Sequence, residues 1–139
     1  MTKVDKSNWV QCTHDEMDQR IVAILAAAGW GGYFVRFSIY ETIKDPVKDD
    51  LSDWIVKHPD FAATFARGQC RFILNEDDDG NPGLTLGYEN PTWADVLVAA
   101  EQSCRARGAP ELDHIFLEAV EPVGPRSKGV QMFEFIWGS

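Results

Sequence analysis

General acid/base catalysis needs a carboxylate and a proton carrier within hydrogen-bond reach of the reacting group. The last part of the chain offers Glu118, Glu134 and His114 on two strand-like segments. Arg36 and Arg71 are the cations that could fix an acidic ligand group, with Tyr40 and Phe116 as apolar walls. No nucleophile with an adjacent base can be named from the spacing, so the acid/base reading rests on these three side chains alone.

Other chemistry-bearing patterns have simpler explanations. Asn75-Glu76-Asp77-Asp78-Asp79-Gly80 opens like a calcium loop, yet its twelfth position is Leu86, where a bidentate Glu is required. It reads as a solvated hairpin loop. Gly29-Trp30-Gly31-Gly32 lies between a helix and a strand, the reverse of the order that brings a helix N-terminus to a phosphate. Cys12-x-His14 lacks the second pair that a zinc site needs. The stretch from Pro122 to Gly129, with Arg126 and Lys128, is locally basic, but its Pro and Gly spacing signals a turn. These patterns imply no metal and no cofactor.

Bulk properties narrow the function classes. A net charge of −9 is wrong for phosphate recognition, which excludes a nucleic-acid binder, and wrong for an anionic membrane surface. It suits solubility or a basic partner. No apolar run of transmembrane length occurs and the N-terminus lacks the apolar stretch of a signal peptide, so a cytoplasmic address is expected. Three widely spaced cysteines, Cys12, Cys70 and Cys104, are expected to be buried free thiols. With 139 residues, 45% of them hydrophobic, the chain is expected to form one domain, residues 1–139, with a substantial core.

The elements that must position the candidate residues follow from periodicity and caps. Thr13 and Glu16 have capping-box spacing ahead of a helix over 15–28, with Met17, Ile21, Ile24 and Leu25 on one face and Gly29 as its stop. A strand is predicted over 33–40. Asp45-Pro46 opens a second helix with Val47, Leu51, Trp54 and Ile55 inward, and Pro59 separates a short helix over 59–66. Strands over 70–74 and 84–88 flank the acidic loop. Asn90-Pro91 starts a long helix with Trp93, Val96, Leu97, Ala100 and Cys104 at helical spacing, and Gly108 ends it. A hairpin over 113–121 and 130–137 closes the chain. The predicted fold class is α+β, a mainly antiparallel sheet of about five strands with three to four helices packed on one face.

Alternation sorts the closing hairpin into two faces. Ile115, Leu117, Ala119, Phe133, Phe135 and Trp137 face the helices. The opposite face carries His114, Phe116, Glu118, Val120, Met132, Glu134 and Ile136, with Phe34, Arg36, Ser38 and Tyr40 from the first strand and Arg71, Ile73 and Thr85 from the middle hairpin. A solvated face should be mostly polar, and this one is half apolar. Three readings compete: cross-strand ion pairs of Arg36 and Arg71 with Glu118 and Glu134, a homodimer or partner interface, and a small-molecule or catalytic site. The preferred expectation is a non-catalytic binding or accessory protein acting through a protein partner or as a homo-oligomer. Its candidate residues are Phe34, Arg36, Tyr40, Arg71, His114, Phe116, Glu118, Met132 and Glu134.

Overall fold

The computed structural model describes residues 6–44, 50–109 and 115–138. The chain is α+β, with two α-helices and eight strands in two sheets. In chain order the elements are β1 (Trp9–Thr13), α1 (His14–Ala27), β2 (Arg36–Phe37), β3 (Glu41–Lys44), β4 (Ile55–Pro59), β5 (Gln69–Ile73), β6 (Thr85–Glu89), α2 (Trp93–Ala106), β7 (Phe116–Ser127) and β8 (Val130–Gly138). A 3-10 turn, Leu51–Asp53, precedes β4.

The smaller sheet has the order β1-β4-β3 and is antiparallel throughout. The larger has the order β2-β7-β8-β5-β6 and is mixed: β2 runs parallel to β7, and β5 parallel to β8. One continuous core joins both, running from Met17, Leu25 and Val56 to Phe72, Leu97 and Leu117. Phe72 is fully buried and stacks on Phe133 and Phe135, each at a centroid distance of 5.7 Å.

Helix α1 begins as its sequence dictates. Thr13 accepts from the Glu16 amide, and the Glu16 carboxylate accepts from the Thr13 amide, at 3.1 and 3.0 Å. Gly29, at φ +96°, ends it. Helix α2 is capped two residues later than its Asn-Pro signal implies. Thr92 and Asp95 form a second capping box. Asn90 instead takes φ 49° and accepts from the Gly68 amide at 2.6 Å, tying the helix entry to β5.

The single five-stranded sheet and the three or four helices expected from sequence are not found. The Asp45-Pro46 helix start and Val47 lie outside the described residues. Where that helix should continue, Leu51–Asp53 is one 3-10 turn and Ile55–Pro59 is a strand. Val56 and His58 are buried while Ile55 and Lys57 are half-buried, a period of two, and β1 and β3 supply ladders on both sides. Residues 60–68 carry no helix; Phe61 is buried and Phe65 packs edge-on to Trp93 and Phe133. The long strand over 33–40 also fails. Only Arg36–Phe37 joins the larger sheet, because the chain then crosses to the smaller one as β3.

The approach to β2 is held by a buried carboxylate. Glu101, fully buried on α2, accepts from the Phe34 and Val35 amides at 2.8 and 2.9 Å. Its other oxygen accepts from Arg105 Nε at 2.7 Å. Arg105 also donates to the Gly32 carbonyl and lies over the Trp30 ring at 4.0 Å. Glu101 therefore fixes the segment that delivers Arg36 to the sheet, where the Arg36 amide donates to the Ile115 carbonyl at 2.8 Å.

Candidate functional site

Among the described residues, three regions combine charge with apolar surface, the third being a cleft of about 560 Å³ lined by Glu76, Arg107, Glu134, Phe135 and Trp137. The first is the outer face of the larger sheet. β7 carries a bulge between Leu117 and Ala119, so that Val120 pairs with Phe135 and Glu121 with Glu134. A bulge adds one residue to one strand and reverses its alternation beyond that point. Val120 thus turns toward the core, and Ala119, Glu121 and Val123 turn outward. This corrects the sequence assignment of Ala119 inward and Val120 outward.

The face that results carries Arg36 beside Phe116, in register across β2 and β7. Phe116 is 41% exposed. Met132 and Ile136 are half-buried, and Arg71 is exposed on β5 beside Met132. Glu118 lies over Gly138, where a side chain would collide with its carboxylate. Glu121 and Glu134 sit directly opposite each other, a like-charge pair that destabilises a sheet unless a cation is supplied.

Several expected partnerships are not formed. None of the ion pairs among the described residues joins Arg36 or Arg71 to Glu118 or Glu134. Arg71 Nε donates to Thr85 Oγ1 at 3.0 Å, with its guanidinium packed over Gly87. Arg36 and Arg71 are three strand positions apart and offset by six residues along β8, from Gly138 to Met132, about 24 Å in all, so they do not converge on one small acidic group. Glu118, above Gly138, stands about 13 Å along β8 from Glu134. His114 lies outside the described residues. Phe34 leaves the face and packs beneath Arg105, at 4.9 Å, and Tyr40 packs edge-on against His14 at 5.3 Å.

Sequence reasoning missed Glu121 and Val123, because nothing in the residue pattern marks the bulge. The stretch from Pro122 to Gly129, expected as a turn, is instead mostly strand, because β7 runs on to Ser127. The reversal occurs at Lys128 and Gly129, both at positive φ, and Arg126 spends its guanidinium on the carbonyls of Arg67, Gln69 and Gly129. The acidic loop is also a turn. Asp77 Oδ1 accepts from the Asp79 and Asn81 amides, each at 2.9 Å.

The second region is a cleft of about 550 Å³ beside α1 and β4. Arg20 and His58 form its polar wall, with Val10, Ile24, Phe61 and Ala94 among its apolar ones. His58 is a fully buried strand residue of β4. Its Nε2 is 3.0 Å from Arg20 Nη1 and its Nδ1 2.7 Å from the Pro59 carbonyl. An arginine only donates, so Nε2 accepts and Nδ1 carries the proton. Burial pushes the imidazole below its ordinary 6.5, which keeps it neutral.

An unfolded His58 takes its proton near 6.5 and the folded one only at lower pH. Stability from this residue is therefore complete above pH 6.5 and is lost as the pH falls toward the folded value. Unfolding free energy is expected to decline as the pH falls below 6.5. Denaturant unfolding of His58→Gln over the same window should show a flatter profile; an unchanged slope contradicts the assignment.

The three thiols, Cys12, Cys70 and Cys104, are all free and buried. Burial pushes each above its ordinary value, Cys104 to about 11, so none supplies a thiolate near neutrality. Among the described residues no group of three His, Cys, Asp or Glu side chains is placed to hold a metal. No described helix is long and apolar enough to cross a membrane.

Fold and surface together define an α+β protein of two sheets, with a charged and apolar outer face on the larger one. Comparison with protein-family models, with curated proteins and with solved structures finds no match to this chain.

Proposed function

We propose that the chain is a binding protein whose outer sheet face docks a basic protein partner. The observation that carries this reading is the Glu121–Glu134 pair, two glutamates in direct cross-strand register, neither of which takes part in the ion pairs seen among the described residues. A lysine or arginine from a partner would relieve that repulsion, and Phe116, Met132 and Ile136 supply apolar area around it. The net charge of −9 favours a basic partner at long range and opposes a second copy of the same chain.

The test begins with capture from the native host, purification of the basic protein retained, and calorimetric titration of the two. Phe116→Ala is expected to weaken binding by about tenfold or more, because exposed aromatics at interface centres carry much of the binding energy. Its melting temperature should stay near that of the unaltered chain, since Phe116 fills no core space. Retention of no basic protein, a homodimer alone, or wild-type affinity in Phe116→Ala would each contradict the reading.

A further inference from the structure

The Arg20–His58 cleft lies away from the outer sheet face, and its chemistry points to a different kind of ligand. Its volume of about 550 Å³ falls within the range of small-molecule sites. Its walls are mostly carbon: Val10 on β1, Ala23 and Ile24 on α1, Phe61 in the loop after β4, and Ala94 on α2. One cation stands at its edge. Arg20 lends an N–H to His58 Nε2, a neutral acceptor, and makes no ion pair with any carboxylate among the described residues.

The neighbouring acids are already engaged. Glu16, one turn earlier on α1, closes the capping box with Thr13. Asp60, which also lines the cleft, accepts from the Ala62 amide at 3.0 Å. His58 is braced by the Pro59 carbonyl and stacked on Phe61 at 4.8 Å, so it holds the guanidinium against the cleft wall without adding charge. The guanidinium keeps further donors in a planar fork, the arrangement that pairs with a carboxylate through two parallel hydrogen bonds.

We propose that this cleft binds a small organic acid, its carboxylate held by Arg20 and its apolar body seated against Ile24, Phe61 and Ala94. Two sources share that chemistry: a simple aryl or branched aliphatic acid, and an apolar α-amino acid whose ammonium would meet Asp60. The cleft and the sheet face are independent, so failure of either leaves the other standing.

Phenylpropionate, phenylalanine and the uncharged phenylpropionamide, titrated into the full chain and followed by protein NMR, separate these cases. At least one acid is expected to bind saturably in about the micromolar-to-millimolar range for ligands this small, shifting the His58 ring and the Ala23 and Ala94 methyl signals. The amide should bind about tenfold more weakly or worse, because a charge-assisted pair is lost. Stronger binding of phenylalanine than of phenylpropionate assigns a role to Asp60, and the reverse assigns the site to simple acids. Arg20→Gln, an exposed position, should lower acid affinity about ten- to hundredfold and leave amide binding unchanged. Absence of saturable binding by both acids, equal binding of acid and amide, or acid binding unaltered in Arg20→Gln overturns the proposal. The acid–amide contrast decides even where the variant folds poorly.

Discussion

Glu101→Ala is expected to lower the unfolding free energy by about 3–5 kcal/mol, the usual cost of breaking a buried charge pair. The substitution removes three hydrogen bonds at once. The Phe34 and Val35 amides lose their acceptor inside the protein, and Arg105 loses its 2.7 Å partner beside Trp30. A fall of about 10–20 °C in melting temperature corresponds to that range for a chain of this size. Glu101→Gln retains an oxygen for the two amides and should cost only about 1–2 kcal/mol. Thermal and denaturant unfolding of the two variants measure the difference. A loss below about 1 kcal/mol in Glu101→Ala would mean that another group satisfies these amides. Because this carboxylate fixes the approach to β2, the alanine variant should also loosen Arg36 on the outer face.

The second large effect concerns binding. Glu121→Lys combined with Glu134→Lys is expected to weaken association with the basic partner by about a hundredfold or more, since like charges across an interface cost several kcal/mol. The native pair presents two carboxylates across adjacent strands, and the variant presents two ammonium groups at the same place. Asp78→Lys with Asp79→Lys makes the same change in net charge on the exposed loop between β5 and β6. That control should reduce affinity only through the long-range field, and added salt should erase most of its effect. Equal losses in the two double variants would assign binding to net charge alone.

How much of this was legible in the sequence depends on which physical rule governed each residue. Local rules were readable. Thr13 and Glu16 place the start of α1, Gly29 and Gly108 end the two helices at positive φ, and the strands around the acidic loop pair as expected. Rules that depend on neighbours were not. Leu51, Trp54 and Ile55 fit helical spacing, yet β1 and β3 offer Ile55–Pro59 a ladder on each side, and the strand wins. The aromatic run around Phe34 suits a strand, but buried Glu101 on a distant helix captures its amides instead. The candidate face was located in part: Arg36, Phe116, Glu118, Met132 and Glu134 share it, whereas Phe34 and Tyr40 do not. One bulge in β7 brought Glu121 rather than Val120 opposite Glu134, and a single-residue register change leaves no mark in composition or spacing. The Arg20–His58 contact joins residues 38 positions apart, beyond the reach of any local pattern.

The central claim, that the outer sheet face is the docking surface, is tested most directly by amide NMR of the labelled chain titrated with the purified basic partner. The account predicts shifts or line broadening concentrated at Arg36, at 116–123 of β7 and at 132–136 of β8, with the Arg20–His58 cleft and the loop at 75–83 unperturbed. Perturbation centred on the cleft or on that loop, with the outer face silent, would contradict it.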